Sequence, residues 1–157
     1  MPRRRYKKKQ TVLPDHKYGS ILVARFINKI LKKGKKDIAT KIIYNSFDII
    51  SEKTKKEALE VFEKAIDNAS PLLEVKSKRI GGANYQIPVK VEGDRKTTLA
   101  MRWIIEAANT KKGKPMHEKI ATELIEAYNN TGDAIKKREN THKMAEANRA
   151  FAYLAKF

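Results

Sequence analysis

Arginine and lysine gather in short clusters along this chain, and what such clusters can do chemically is neutralise a polyanion. Residues 1–12 carry Arg3, Arg4, Arg5, Lys7, Lys8 and Lys9 with no acid among them, and Lys32, Lys33, Lys35 and Lys36 surround Gly34. Lys76, Lys78, Arg79 and Lys90 fall on two strand-like runs, Arg95, Lys96 and Arg102 follow closely, and Lys111, Lys112 and Lys114 precede Pro115. An ammonium or guanidinium set against a phosphate oxygen makes a charge-assisted hydrogen bond and releases condensed counterions. Tyr6 within the first cluster adds a ring on which a base can stack. Glycines at 34, 81 and 82 let the backbone itself approach a sugar or phosphate.

Bond-making chemistry finds no comparable support. The three histidines, His16, His117 and His142, lack the spacing of a metal site. Gly81-Gly82 is not followed by Gly-Lys-Ser/Thr, so it is no nucleotide phosphate loop. Acids such as Glu60 stand one helical turn from a lysine, here Lys64, which is ordinary surface pairing. No metal, cofactor or small-molecule substrate is expected, and no enzymatic activity.

The charge balance points the same way. In 157 residues, 35 Lys+Arg against 18 Asp+Glu give +17 and a pI near 10.0, beyond what solubility requires. Residues 48–74 run against the trend, with seven acids and four lysines, net −3. One side is therefore expected to face water or protein while the rest faces the anion. An apolar fraction of 41% supports one compact domain with a core, and the absence of cysteine removes disulfides and thiolate zinc from consideration. No run approaches the roughly 20 apolar residues of a membrane span, so a cytoplasmic protein is expected.

Elements must hold these charges in place. Residues 1–12 read as a basic flexible tail, followed by a single domain over 13–157. Ser20 is placed to cap a helix whose apolar stripe is Val23, Phe26, Ile27, Ile30 and Leu31, with Gly34 closing it. A second helix from about Asp37 presents Ala39, Ile42, Ile43, Ser46 and Ile50. Thr54 and Glu57 have capping-box spacing for a third, ended by Pro71. Leu73, Val75, Ser77 and Arg79 alternate with charged residues before Gly81-Gly82, and Tyr85, Ile87, Val89 and Val91 alternate after it, which predicts a β-hairpin over about 73–91. Pro88 makes it a free ribbon, not a central strand pair. Helices then follow from about Thr97 to Asn109, from Pro115, and from Asp133 towards Tyr153, the last carrying Lys136, Lys137, Arg138, Lys143 and Arg149. The fold class is mainly α: a bundle of about six helices with one protruding two-stranded hairpin between helices three and four. Arg95, Thr98 and Arg102 share one helical stripe, with Leu99, Trp103 and Ala107 beside it, and Trp103 is assigned to the core.

The residues that carry a resemblance run collinearly through nearly the whole chain: Met1-Pro-Arg-Arg-Arg5, Leu13-Pro-Asp15, Lys17-Tyr-Gly-Ser20, Gly34-Lys-Lys36, Val75-Lys-Ser77, Arg79-Ile-Gly-Gly82, Tyr85-Gln-Ile-Pro-Val89, Leu99-Ala-Met-Arg-Trp103, Lys136-Lys-Arg-Glu139 and His142 to Asn148. In these the sequence resembles the bacterial small-subunit ribosomal protein number seven. The resemblance implies a helical fold with a β-ribbon arm that binds the 3′ major domain of 16S rRNA, starts assembly of the subunit head, and lies by the tRNA exit site and decoding region. It further implies exit-site tRNA, mRNA and neighbouring small-subunit proteins, numbers nine and eleven, as partners, and no membrane.

By their charge and position the tail cluster, Lys32, Lys33, Lys35, Lys36, Lys76, Lys78, Arg79, Arg95, Lys96, Arg102, Lys111, Lys112, Lys114 and Met116 are expected at RNA, and the resemblance makes that RNA the rRNA. The resemblance further places Gly81, Gly82, Asn84, Tyr85, Lys136, Lys137, Arg138, Lys143 and Arg149 towards tRNA and mRNA. Two departures stand out: Glu92-Gly-Asp94 puts acids at the start of the fourth helix, predicting a looser grip there, and the end at Phe157 is expected to leave out a longer tail's role. A helix-turn-helix DNA regulator is the reading from another class, though a fifth helix opening Pro115-Met-His-Glu118 is poor for base readout. Binding to the protein's own messenger RNA suits the same surface.

Overall fold

The computed structural model describes residues 12–156. The chain enters through Asp15, whose Oδ2 accepts from the Lys17 and Tyr18 amides, each at 3.1 Å, while its Oδ1 accepts from the Tyr44 hydroxyl at 3.0 Å. Helix α1, Ile21–Ile30, buries Val23, Phe26, Ile27 and Ile30, the stripe its spacing demands. Ser20 stands at its N-cap, but the hydroxyl makes no cap bond. Helix α1 also ends before Gly34: Leu31 is extended, and Lys33 and Gly34 take φ of 52° and 74° in the following loop. The left-handed turn predicted at Gly34 thus serves the loop, not the helix end.

Helix α2, Lys36–Thr54, takes in as its last residue the threonine expected to cap a new helix. Its buried face persists as far as Ile50, so continuing the same helix keeps that face on the core. Thr54 therefore does not cap α3: its Oγ1 donates to the Ile50 carbonyl at 2.7 Å and accepts from the Lys56 amide at 3.4 Å, ahead of the helix, and Lys55 ends α2 at φ 54°. Helix α3, Ala58–Ala69, begins after Glu57 without a side-chain cap, which corrects the capping-box expectation.

Strands β1, Leu73–Ile80, and β2, Ala83–Lys90, form a two-stranded antiparallel sheet with Leu73 opposite Lys90 and Ile80 opposite Ala83. That register leaves a two-residue turn, and Gly81 and Gly82 at φ 57° and 89° supply the two positive φ values such a turn uses. Helix α4, Asp94–Thr110, starts a turn earlier than the apolar spacing predicted, and α5, Met116–Tyr128, follows Pro115. Helix α6, Asp133–Ala147, stops short of Tyr153, and a 3₁₀ segment covers Arg149–Lys156.

Helix α5 is the centre of the bundle, packed on α2, α3 and α4, with Ile120, Ala121, Leu124 and Ala127 fully buried. Small alanines let the surrounding helices approach it. On the α1, α2 and α3 side Phe62 meets Phe26 at 5.2 Å and Phe47 at 5.4 Å between ring centroids. Trp103 is 7% exposed and belongs to the core, as its stripe implied. The protein is mainly helical with a hairpin between α3 and α4.

Candidate nucleic-acid interface

Burying one stripe of α1 turns its opposite stripe outward, so Arg25, Asn28 and Lys29, at i, i+3 and i+4, meet the amino-terminal half of α4. Together with Thr97, Thr98 and Met101 they line a shallow groove. Arg25 Nη1 donates to Asp94 Oδ1 at 2.7 Å, and Glu92 pairs with Lys90 at 2.8 Å. The acids of the Glu92 to Asp94 stretch are thus met by cations of the chain itself, and Asp94 also sits where the α4 dipole favours a carboxylate. Arg102, exposed on α4, extends the stripe.

Lys29 also lines a second groove, at the end of the bundle, where Lys32 and Lys35 of the α1–α2 loop meet Met116 at the start of α5. Loops some 80 residues apart in sequence converge here. Lys33, Lys36, Lys112 and Lys114 are exposed around them. Lys111 is different. Its ammonium lies 2.8 Å from Glu123 Oε2 and donates to Glu126 Oε2 at 2.7 Å, with the Glu123 side chain fully buried and Lys111 24% exposed. Burial works to lower the lysine's pKa, but the two carboxylates outweigh it and hold the pKa above the ordinary value. Glu123 Oε1 accepts from the Ala134 amide at 2.9 Å, at the amino end of α6. Expected at phosphate, Lys111 is placed by the structure as an internal tie between the α4–α5 loop, α5 and α6.

The ribbon stays a two-stranded sheet, and one of its faces packs on the rest of the protein well beyond its base. Tyr85 packs edge-on against Phe151 at 5.4 Å, Ile87 is buried, and the 3₁₀ segment and α6 cover this face. The register puts Glu74, Lys76 and Lys78 opposite Val89, Ile87 and Tyr85, so the apolar runs of the two strands lie on opposite faces of the ribbon. Glu74 is consequently buried. Arg95 Nη2 donates to its Oε2 at 2.9 Å, and Lys76 lies 3.2 Å from Oε1. Burial alone would raise the pKa of Glu74, but hydrogen bonds from Arg95 and Lys76 hold it below the ordinary carboxylate range. Arg79, Gly81, Gly82 and Asn84 remain exposed at the outer end, while Tyr85 is half-buried.

Lys96 parts from Arg95 and Arg102. It shares an open groove with Leu72, Arg138, His142 and Lys143, beside the ribbon base. His142 Nε2 accepts from the Leu72 amide at 3.0 Å, and Arg138 Nη1 donates to the Asn68 carbonyl. Burial, with the charge of Arg138 second, depresses the His142 pKa. Lys136, Lys137 and Arg149 each face a carboxylate, Asp133, Glu106 and Glu146, in exposed pairs worth little and open to exchange for phosphate. The cluster Arg3, Arg4, Arg5, Lys7, Lys8 and Lys9 lies outside the described residues.

Among the described residues no group of three or more histidines, aspartates and glutamates is placed to hold a metal, and no helix is long and apolar enough to cross a membrane. The profile of the family described as Ribosomal protein S7p/S5e matches residues 2–149. The chain belongs to that family. It is 59% identical over 151 residues to the small ribosomal subunit protein uS7 of Thermotoga maritima, covering 96% of this chain and 97% of the relative. The proteins of that name from Chloroflexus aggregans and Roseiflexus castenholzii are 55% identical over 153 residues and 53% identical over 157, covering 98% and 100% of both partners. As a member of the S7p/S5e family the chain is a structural ribosomal protein and not an enzyme.

Within this S7p/S5e chain the structure gathers Lys32, Lys35 and Met116 at one end of the bundle and separates Arg95, Lys96 and Lys111 from one another. It adds Arg25, Asn28 and Lys29, which no charge cluster marks. Their helical spacing opposite the apolar stripe of α1 was the available signal. The buried position of α5 also leaves it no free face for a DNA groove, against the helix-turn-helix reading.

Proposed function

We propose that this structural constituent of the small ribosomal subunit, at work on ribosomes in the cytoplasm, is a primary binder of the 3′ major domain of 16S rRNA that nucleates assembly of the head. The α1–α4 groove and the lysine loops clamp a multi-helix RNA junction through its phosphates, and the basic tail adds to the same grip. The exposed ribbon tip and the cations of α6 are directed to exit-site tRNA and mRNA, with small-subunit proteins nine and eleven as neighbours. The observation that carries the reading is the run of cations from Arg25 through Lys29 to Lys32 and Lys35, continuous across two grooves that share Lys29. Family membership supports rRNA as the anion.

With about eight phosphates engaged, log affinity falls against log salt with a slope on the order of −6. Filter binding of a 3′ major domain transcript across a salt series measures it, with duplex DNA as competitor. A slope near −1, or equal affinity for the DNA at moderate salt, contradicts the clamp.

A further inference from the structure

We propose that the groove between α1, α2, α4 and α5 seats one unstacked RNA base, with the phosphates on either side of it held by the rim lysines. The proposal rests on the rRNA-binding reading above. Ile38, Ile42, Ile105 and Met116 wall a cavity of about 220 Å³. Drug-sized ligands fill roughly 300–1,000 Å³, so this one matches a single flat ring and little more. Ile38 is 53% exposed at the mouth, an aliphatic side chain left in water beside the lysine-rich loop.

Charge selects the occupant. Lys29, Lys32 and Lys35 stand on the rim, no acid lines the groove, and none of the three lysines pairs with a carboxylate among the described residues. An apolar protein side chain would fill the walls and leave these cations unanswered, whereas a nucleotide brings a flat apolar face and a phosphate on each side. Met116 is polarisable and unbranched, suited to lie against a ring. Asn109, at the end of α4, also lines the groove, and its side-chain amide makes no hydrogen bond among the described residues. It offers both a donor and an acceptor to a base edge.

The experiment uses the whole protein and a 3′ major domain transcript of 16S rRNA, with base edges probed by dimethyl sulfate and a carbodiimide. Ile38→Asn and Asn109→Ala change exposed positions without changing charge, and circular dichroism checks their fold. In the wild-type complex one unpaired nucleotide becomes unreactive at its base. It regains reactivity with Ile38→Asn, whose affinity falls about tenfold with the salt slope unaltered. Asn109→Ala gives the same pattern more weakly. A steep wild-type slope with no base whose protection depends on Ile38 overturns the socket and leaves the clamp standing. A slope near −1 removes the clamp itself, so the two failures are distinguishable.

Discussion

Replacing Lys111 by methionine should destabilise this protein without reducing its charge-driven hold on RNA. The substitution keeps the stem of the side chain and removes the ammonium that lies 2.8 Å from Glu123 Oε2. That oxygen is buried and accepts no hydrogen bond from any other group among the described residues. Removing one partner of a buried pair costs roughly 3–5 kcal/mol because the other charge stays behind. Two features of this site reduce the figure. The lysine is 24% exposed, so water reaches the gap, and Glu123 Oε1 keeps the Ala134 amide at the positive end of α6. About 2–3 kcal/mol remains, which for a chain of this size lowers Tm by roughly 4–12 °C. Thermal unfolding followed by circular dichroism at neutral pH measures the loss. Glu123→Gln in the same chain should restore part of it, since the amide retains an acceptor for Ala134 and carries no charge. In filter binding the salt slope of Lys111→Met should match wild type, whereas Lys112→Ala and Lys114→Ala should each reduce its magnitude by about 0.7. An unchanged Tm together with a shallower slope would refute the internal role and return Lys111 to the phosphate contacts.

The remaining expectations concern the ribbon and its base. Because the folded pKa of Glu74 is depressed, the stability it contributes is present above the ordinary value of 4.5 and disappears as pH falls through the folded value. Arg95→Ala should cost about 1 kcal/mol at pH 7 and flatten that acid limb in pH-dependent denaturant unfolding. His142 is depressed below 6.5, so the unfolded chain binds the extra proton first and stability declines as pH drops through 6.5. His142→Gln, which keeps an acceptor for the Leu72 amide, should remove this decline between pH 7.5 and 5.5 in thermal scans. Deleting residues 78–85 and joining Ser77 to Gln86 through Asn-Gly preserves the register and leaves Ile87 and Glu74 in place. That variant should retain its helical circular dichroism and lose less of its affinity for the 3′ major domain transcript than of its protection of exit-site tRNA in assembled subunits. Collapse of the helical signal would show that the outer ribbon supports the bundle.

Patterning within single elements was legible in the residues. The stripe of α1, the pair Gly81-Gly82, the buried Trp103 and the amino-terminal start of α6 each follow from local spacing or from a backbone conformation that glycine tolerates. Boundaries were less so. Helix α2 takes in Thr54 as its last residue because its buried face persists to Ile50, and that persistence depends on what packs there, not on the cap residues. Which cations are available to RNA was likewise hidden. Lys111, Lys112 and Lys114 look equivalent in one dimension, yet only the packing of α5 against the α4–α5 loop sets Glu123 and Glu126 beside the first of them.

The sequence by itself determined the sign and quantity of charge, the helical and hairpin periodicities, and a collinear likeness to one ribosomal family. Tertiary structure decided which charges are neutralised internally, that one face of the ribbon rests on the carboxyl-terminal segment, and that two distant loops meet around an aliphatic groove. Charge and periodicity are properties of neighbours along the chain, whereas pairing and burial depend on distances that exist only once the helices have packed.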